Sequence, residues 1–330
     1  MKIAIIGAGA MGSLFACFLH RAGHEVWLLD KDGERVEAIR RAGLTLEDAS
    51  GTHRLNFSAV TGSAGDIGAA GLVIVFVKSY DTAEALRSAR PVVRDDTRVL
   101  SLQNGLNNLE TIAAATGTGS LFGGSTAHGA TLIAHGRVRH AGSGDTEIGV
   151  FGSAGAGELD VVAGLLNGAG IRTAVTGDLT ATLWTKLMVN AAINPLTALT
   201  GLCNGEIMGH PGLADIQERI VMETCAVATA RGISLGGGDP LATVRDVCRR
   251  TASNRSSMLQ DVLNRRRTEI DAINGALVAS GAACAVPTPY NTVVTMLVKA
   301  LELNRRSYCA DDHCGRKDTI MQMSAGDKKP

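Results

Sequence analysis

Three polar side chains interrupt the otherwise apolar stretch Leu183–Pro195 at a spacing of four: Lys186, Asn190 and Asn194. In a helix this spacing lines them along one narrow stripe, with apolar residues round the rest of the circumference. Such a helix is buried, so the lysine must find a partner, shift its pKa downward or face a polar cavity. Two kinds of structure satisfy that demand. In one, Lys and Asn bond to carbonyls and neighbouring helices as a polar network of the core. In the other, an ammonium donates a proton or stabilises developing negative charge while two carboxamides hold a polar ligand. The stripe alone fits both, and the rest of the chain has to decide.

The elements that would position a ligand begin at the first residues. Lys2–Ile6 is a short β-branched strand that runs directly into Gly7-Ala8-Gly9-Ala10-Met11-Gly12, and a helical pattern follows from Met11 to Ala22. The first glycine permits the tight turn, the second lets a pyrophosphate approach the backbone, and the third lets the helix pack on the strand. The helix N-terminus adds free N–H groups and the positive end of its dipole. A second strand, Glu25–Leu29, completes a strand–motif–helix–strand unit, which is far more specific than the glycine pattern alone. Asp30 closes that strand, where a carboxylate accepts hydrogen bonds from the adenosine ribose hydroxyls and favours NAD(H). Lys31 follows and can instead pair with a 2′-phosphate, which leaves NADP(H) open.

Leu72–Val77 is a continuous apolar run of the kind buried on both faces of a parallel sheet, with Lys78 at its carboxyl end. The next strand, Val99–Leu102, ends in Gln103-Asn104-Gly105. Ligands of open α/β sheets bind beyond the carboxyl ends of the strands, so Lys78 and Asn104 are candidates there; a solvated strand-end lysine and an ordinary turn are the structural alternatives. Ser120–Val150 is extended and Gly-rich, which predicts antiparallel strands appended to the parallel sheet. His128, His135 and His140 fall within it without the spacing of a metal triad, and read as edge or loop histidines. After Gly177 nearly everything reads helical. The expectation is an α/β chain: a Rossmann-like parallel-sheet domain over 1–177, an all-helical substrate and dimerisation domain over 178–318, and a mobile tail over 319–330. The cleft between the halves is the default substrate site.

Within the helical half, Ser257 and Glu269 would lie about 18 Å apart in one unbroken helix. Ser257-Met258-Leu259-Gln260 reads as a capping box, however, and Thr268-Glu269-Ile270-Asp271 offers a second N-cap after Arg265-Arg266-Arg267. Two helices with a turn between them would bring Ser257 and Glu269 near one place; two ordinary caps are the plainer reading.

Composition narrows the partners. The 330 residues carry 32 basic and 32 acidic side chains, which gives no nucleic-acid footprint and no acidic tail. No apolar run reaches the ~18 residues of a membrane span, and no signal-peptide pattern precedes the first strand, so a cytoplasmic protein acting on a small molecule is expected. Seven cysteines, mostly inside apolar helical patterns, imply reduced thiols rather than a disulfide framework. Cys309, His313 and Cys314 cluster near the C-terminus but lack a fourth ligand and a defined spacing, and no metal is expected.

Taken together, the motifs resemble the ketopantoate reductase (2-dehydropantoate 2-reductase) family. They are Gly7-x-Gly9-x-x-Gly12, Val77-Lys78-Ser79, Gln103-Asn104-Gly105, Lys186-x-x-x-Asn190-x-x-x-Asn194-Pro195, Cys203-Asn204-Gly205, Ser256 through Asp261, Thr268 through Gly275, and Pro287-Thr288-Pro289-x-Asn291. The match runs in order from Met1 to about Leu303. The resemblance implies a helical domain of the 6-phosphogluconate dehydrogenase C-terminal type and reduction of a 2-oxo acid, first of all ketopantoate to pantoate, with NADPH. It makes Lys186 the general acid and Glu269 a second essential group that binds the substrate hydroxyl. It assigns substrate contacts to Asn104, Asn190, Asn194, Asn204 and Ser257, places Lys78 near the cofactor or the substrate entrance, and allows a homodimer through the helical domain. Glu269 would pair with Lys186 and keep it cationic. Asp30 departs from the basic residue common at this place in NADPH-using members. A β-hydroxyacid or 6-phosphogluconate-type dehydrogenase shares the two-part design but lacks the Ser257–Glu269 constellation. A non-catalytic dinucleotide sensor would have little use for both Lys186 and Glu269.

Overall fold

The computed structural model describes residues 1–310, with side chains through Asn304. The tail expected over 319–330 and the Cys309, His313 and Cys314 side chains lie outside the described residues. The chain runs β1 (Lys2–Ile6), α1 (Ala10–Arg21), β2 (Glu25–Leu29), α2 (Gly33–Ala42), β3 (Leu44–Asp48), β4 (Gly51–Leu55), β5 (Val60–Thr61), β6 (Leu72–Val75), α3 (Thr82–Ser88), β7 (Arg98–Ser101) and α4 (Asn108–Thr116). It continues through β8 (Leu121–Thr126), β9 (Gly129–Ala134), β10 (Arg137–Gly142), β11 (Thr146–Phe151), α5 (Ala156–Gly168) and β12 (Thr173–Val175). The helical half comprises α6 (Leu179–Thr200), α7 (Pro211–Ala230), α8 (Pro240–Arg250), α9 (Ser257–Leu263), α10 (Ala276–Ala283) and α11 (Pro289–Ala310).

The main sheet has the order β12-β11-β8-β7-β6-β1-β2-β5, parallel from β5 through β8, with β11 antiparallel to β8. Successive side chains of a strand face opposite ways, and β1 shows the result: Ile3 and Ile5 pack with Leu14 and Phe15 of α1, while Ala4 and Ile6 pack with Leu86 of α3 and Ile112 of α4. With both faces covered, β6 is buried at every residue, as its unbroken apolar run requires. Each fully buried Leu or Ile contributes roughly 1.5–3 kcal/mol of transfer free energy.

The Gly-rich segment departs from expectation. β8 continues the parallel sheet and β11 adds to it, but the β9–β10 hairpin leaves it and joins β3 and β4 in a separate four-stranded sheet, β4-β3-β10-β9. Leu44, Leu46 and Val138 bury one face of that sheet beside α1, which removes any reason for the hairpin to extend the main sheet's edge.

α6 is the axis of the helical half, packed against α7, α8, α9 and α11 and reaching back to β8 and β11. Pro195 sits inside it and cannot donate to the carbonyl of Ala191. Asn274 Nδ2 supplies the missing donor at 3.1 Å, so the helix continues through the proline with its backbone satisfied. Among the described residues no helix is long and apolar enough to cross a membrane.

Candidate active site

A cavity of about 500 Å³ runs from the carboxyl ends of β1, β2, β6 and β7 to α9 in the helical half. Of the residues singled out in the sequence, Gly7, Gly9, Ala10, Met11, Asp30, Lys31, Lys78, Asn104, Ser257 and Glu269 line it.

At the sheet end, Gly12 lies so close under the turn that a Cβ would fall 1.8 Å from the Gly7 carbonyl oxygen, so no other residue lets α1 start there. A Cβ on Gly9 would meet no atom within 4 Å and would project into open space. These are the features a pyrophosphate needs, close backbone approach and an uncrowded helix N-terminus, and the residues present fit a dinucleotide. The Asp30 carboxylate accepts from the backbone N–H of Ala8 at 2.6 Å and of Asp32 at 2.9 Å, and from Arg35 Nη1 at 2.9 Å to each oxygen. Lys31 is paired with Asp81 at 2.7 Å.

At the interdomain end the loop after β7 docks on the helical half. Gly105 has φ +85°, and a Cβ there would fall 2.5 Å from the Ala272 carbonyl oxygen, which accepts a hydrogen bond from Leu106 N. This contact holds Asn104 at the junction. Residues 271–275 form a wide π turn closed by Gly275 N to the Ile270 carbonyl, in place of the start of an ordinary helix.

Between α9 and this turn the chain reverses at Arg265 (φ 54°), which puts Ser257 and Glu269 on the same cavity wall. The capping residue is Ser256 rather than Ser257: its Oγ accepts from Leu259 N at 3.1 Å and exchanges a 2.6 Å bond with Thr197. Ser257 is thereby left exposed on the wall. Glu269, 5% exposed, accepts from the Ser79 N–H at 3.0 Å and from Lys78 at 3.4 Å. Lys78 also donates to Asp261 at 2.5 Å. Burial opposes the lysine's charge, but Glu269 and Asp261 outweigh it and lift its pKa above the ordinary range. Burial pushes the Asp261 carboxyl up against the pull of Lys78.

The expected Glu269–Lys186 pair is not formed; Glu269 meets Lys78 instead. Lys186 points to the end of β8, where Nζ donates to the Thr126 carbonyl at 3.2 Å. Burial alone lowers its pKa. Lys186, Asn190, Asn194 and Asn204 are not among the residues that line the cavity. Asn190 connects to it, its Nδ2 donating to Asn104 Oδ1 at 3.2 Å. Asn194 Nδ2 and Asn204 Oδ1 are buried and without a hydrogen-bond partner among the described residues. Asn204 Nδ2 bonds Thr251 Oγ1 at 2.9 Å. Orphaned buried carboxamide atoms cost free energy unless a ligand completes them.

The chain matches the family model described as ketopantoate reductase PanE/ApbA over residues 3–153 and its C-terminal counterpart over 178–302. It belongs to the ketopantoate reductase family. The 2-dehydropantoate 2-reductase of Pyrococcus horikoshii is 38% identical over 302 residues, 92% of this chain and 98% of that relative. Among solved structures, a PanE/ApbA family ketopantoate reductase from Ralstonia eutropha JMP134 aligns with a TM-score of 0.85 at 32% identity, covering 93% of this chain and all of that one. A D-mandelate dehydrogenase solved with NADH and anilino(oxo)acetate aligns with a TM-score of 0.88 at 30% identity over the same share of each chain. The same fold is thus shared by proteins named for ketopantoate reduction and for D-mandelate dehydrogenation.

Two participants were missed in the sequence. Asp261 lies one turn after Ser257 on α9, a spacing that puts both on one helix face. Arg35 lies on the first turn of α2, whose N-cap, Asp32, accepts from the Arg35 N–H at 3.1 Å. The first could have been found from helical spacing; the second needed the fold, because its partner is on another element.

Proposed function

We propose that this protein reduces 2-dehydropantoate to pantoate with a nicotinamide dinucleotide, and that Lys186 is the general acid. The observation that carries this reading is the solitary state of Lys186. Its one hydrogen bond among the described residues goes to a carbonyl, and burial without a counter-charge lowers its pKa. An ammonium in that state releases its proton more readily than an ordinary lysine, as a general acid working near neutral pH requires.

When bound, the reduced nicotinamide supplies the hydride for the carbonyl carbon. Lys186 stabilises the charge that develops on the carbonyl oxygen and gives it a proton. Asn190 and Asn194, one and two turns further along α6, hold the oxygens of the acid with Asn204 and Ser257, while Asn104 fixes Asn190. Glu269 accepts from the substrate hydroxyl, which Ser79 N–H and Lys78 orient it to do. Gly7 through Gly12 take the pyrophosphate.

NADH is the preferred reductant in this reading. At the end of the groove where the adenosine ribose would lie, Asp30, Asp32, Asp81 and Glu84 outnumber Lys31 and Arg35, and the net negative charge would repel a 2′-phosphate. The D-mandelate dehydrogenase structure favours one further reading, the same chemistry on an aromatic 2-oxo acid. A homodimer would use the exposed apolar residues Val293, Met296 and Leu297 of α11, which sedimentation measures. The test of function is oxidation of NADH and NADPH against ketopantoate, benzoylformate and other 2-oxo acids, alongside Lys186→Ala. Fastest turnover of ketopantoate, lost in the variant, is expected. Undiminished turnover in the variant would sink the mechanism, and turnover of the aromatic acid alone would move the substrate to the second reading.

A further inference from the structure

Arg35 stands in an unusual relation to the carboxylate that should receive the ribose. A carboxylate offers about four acceptor positions. Those of Asp30 are all engaged: the N–H groups of Ala8 and Asp32 take one oxygen each, and Arg35 Nη1 lies 2.9 Å from both. A ribose diol cannot bond this carboxylate until a donor leaves. The two N–H groups belong to the backbone of the phosphate turn and the start of α2 and are fixed. Arg35 is the one side-chain donor, and it is the one that can move. Its Nη2 is held independently by Asp32 at 3.0 Å, and its Nε has no hydrogen-bond partner among the described residues. The guanidinium can therefore pivot on Asp32 by giving up its contacts to Asp30 alone. Asp30, Asp32 and Arg35 all line the cavity.

Resting on the assignment of the ribose to Asp30, we propose that Arg35 is a gate that sets nucleotide selectivity, opposing NADH and assisting NADPH. For NADH to bind, the ribose hydroxyls replace Arg35 on Asp30, and the Arg35–Asp30 contacts are lost with nothing gained by the guanidinium. For NADPH, the displaced guanidinium stands beside the 2′ position with its Nη1 face free, and pairs with the phosphate that Asp30 repels. One side chain thus narrows the gap between the two nucleotides that Asp30 alone would open. The consequence is a change of opposite sign for the two cofactors when the guanidinium is removed.

Calorimetric titration of the intact protein with NADH and NADPH tests this in wild type, Arg35→Met, Asp30→Asn and the double variant. Methionine retains the packing stem without the charge. Arg35→Met is expected to bind NADH up to about tenfold more tightly, the loss of one competing charged hydrogen bond, and NADPH about tenfold more weakly. In the Asp30→Asn background the tightening should disappear, because there is no longer a carboxylate to uncover. Arg35→Lys keeps one charge without the fork and should fall between. Weakening or no change of NADH binding in Arg35→Met, or movement of both nucleotides in one direction, overturns the gate. Weakened NADH binding in Asp30→Asn beside an unresponsive Arg35→Met overturns the gate and leaves the ribose assignment standing. No effect of Asp30→Asn on NADH overturns both.

Discussion

The two halves of the molecule each hold a lysine near the cleft, Lys78 on the cavity wall and Lys186 off it, and the two lie in opposite electrostatic surroundings. Lys78, on the sheet side, lies between two buried carboxylates of the helical half, Asp261 and Glu269, which hold its proton on. Lys186, on the helical side, faces a carbonyl and loses proton affinity to burial. Partners make a lysine a strap between domains, and their absence leaves one readier to give up its proton. The same residue type is therefore tuned in opposite directions, and the counter-charges decide which.

Substituting the two lysines is the strongest test of that difference. Lys186→Ala should lower kcat by about 10²–10⁴ while leaving nucleotide affinity unchanged, since a positioned acid supplies about that factor. Lys78→Met should act on KM and on stability. It leaves Asp261 and Glu269 buried and facing each other, at a cost of about 3 kcal/mol, and raises KM for an anionic substrate about tenfold. Denaturant midpoints and steady-state kinetics separate the outcomes. Adding Asp261→Asn to Lys78→Met should recover most of the stability. Equal kcat losses for the two single variants would abolish the distinction.

The comparison also marks how far the sequence could be read. The sheet end of the cavity was legible as a fold because its signals are local: Gly7 to Gly12 and Asp30 follow one another within a single strand–turn–helix–strand unit. So was the stripe on α6, since helical spacing alone puts Lys186, Asn190 and Asn194 on one face. The partner of Glu269 was not, because it depends on Gly105 docking against Ala272 and on the reversal at Arg265, contacts between residues far apart in the chain. Ser257 was misread as a cap for a simpler reason, since Ser256 stands beside it and either hydroxyl fits the pattern. The β9–β10 hairpin shows the same limit: alternation gave strands but held no information about which sheet receives them.

A smaller effect follows from the pKa of Lys186. Reduction requires the protonated ammonium, so kcat/KM should fall as pH rises through a single ionisation below the ordinary 10.5 of lysine. Lys78, held protonated, should contribute no second step in that range. Lys186→Arg stays charged throughout and should lose the decline even though its rate is lower. A profile that is unchanged in shape in that variant would assign the ionisation elsewhere.

The smallest effect concerns a third cation-forming group whose charge is likewise disfavoured chiefly by burial. His128 lies two residues beyond Thr126, with Nδ1 2.9 Å from His140 Nε2, packed against Phe15 and Phe18 of α1, and its own Nε2 has no hydrogen-bond partner among the described residues. Burial first, then His140, lowers its pKa to about 4, with Asp145 opposing and Arg172 reinforcing. Burial lowers His140 as well, while the Gly142 backbone and Asp48 oppose. The unfolded chain takes up the His128 proton near 6.5, before the folded protein does. Its contribution to stability is therefore complete above pH 6.5, declines as pH falls towards 4, and levels off below it. His128→Asn removes the titrating group and should show a smaller drop in urea midpoint between about pH 7 and pH 5 than wild type, at unchanged slope. The same drop in both proteins would mean that burial does not keep this imidazole neutral, and would break its likeness to Lys186.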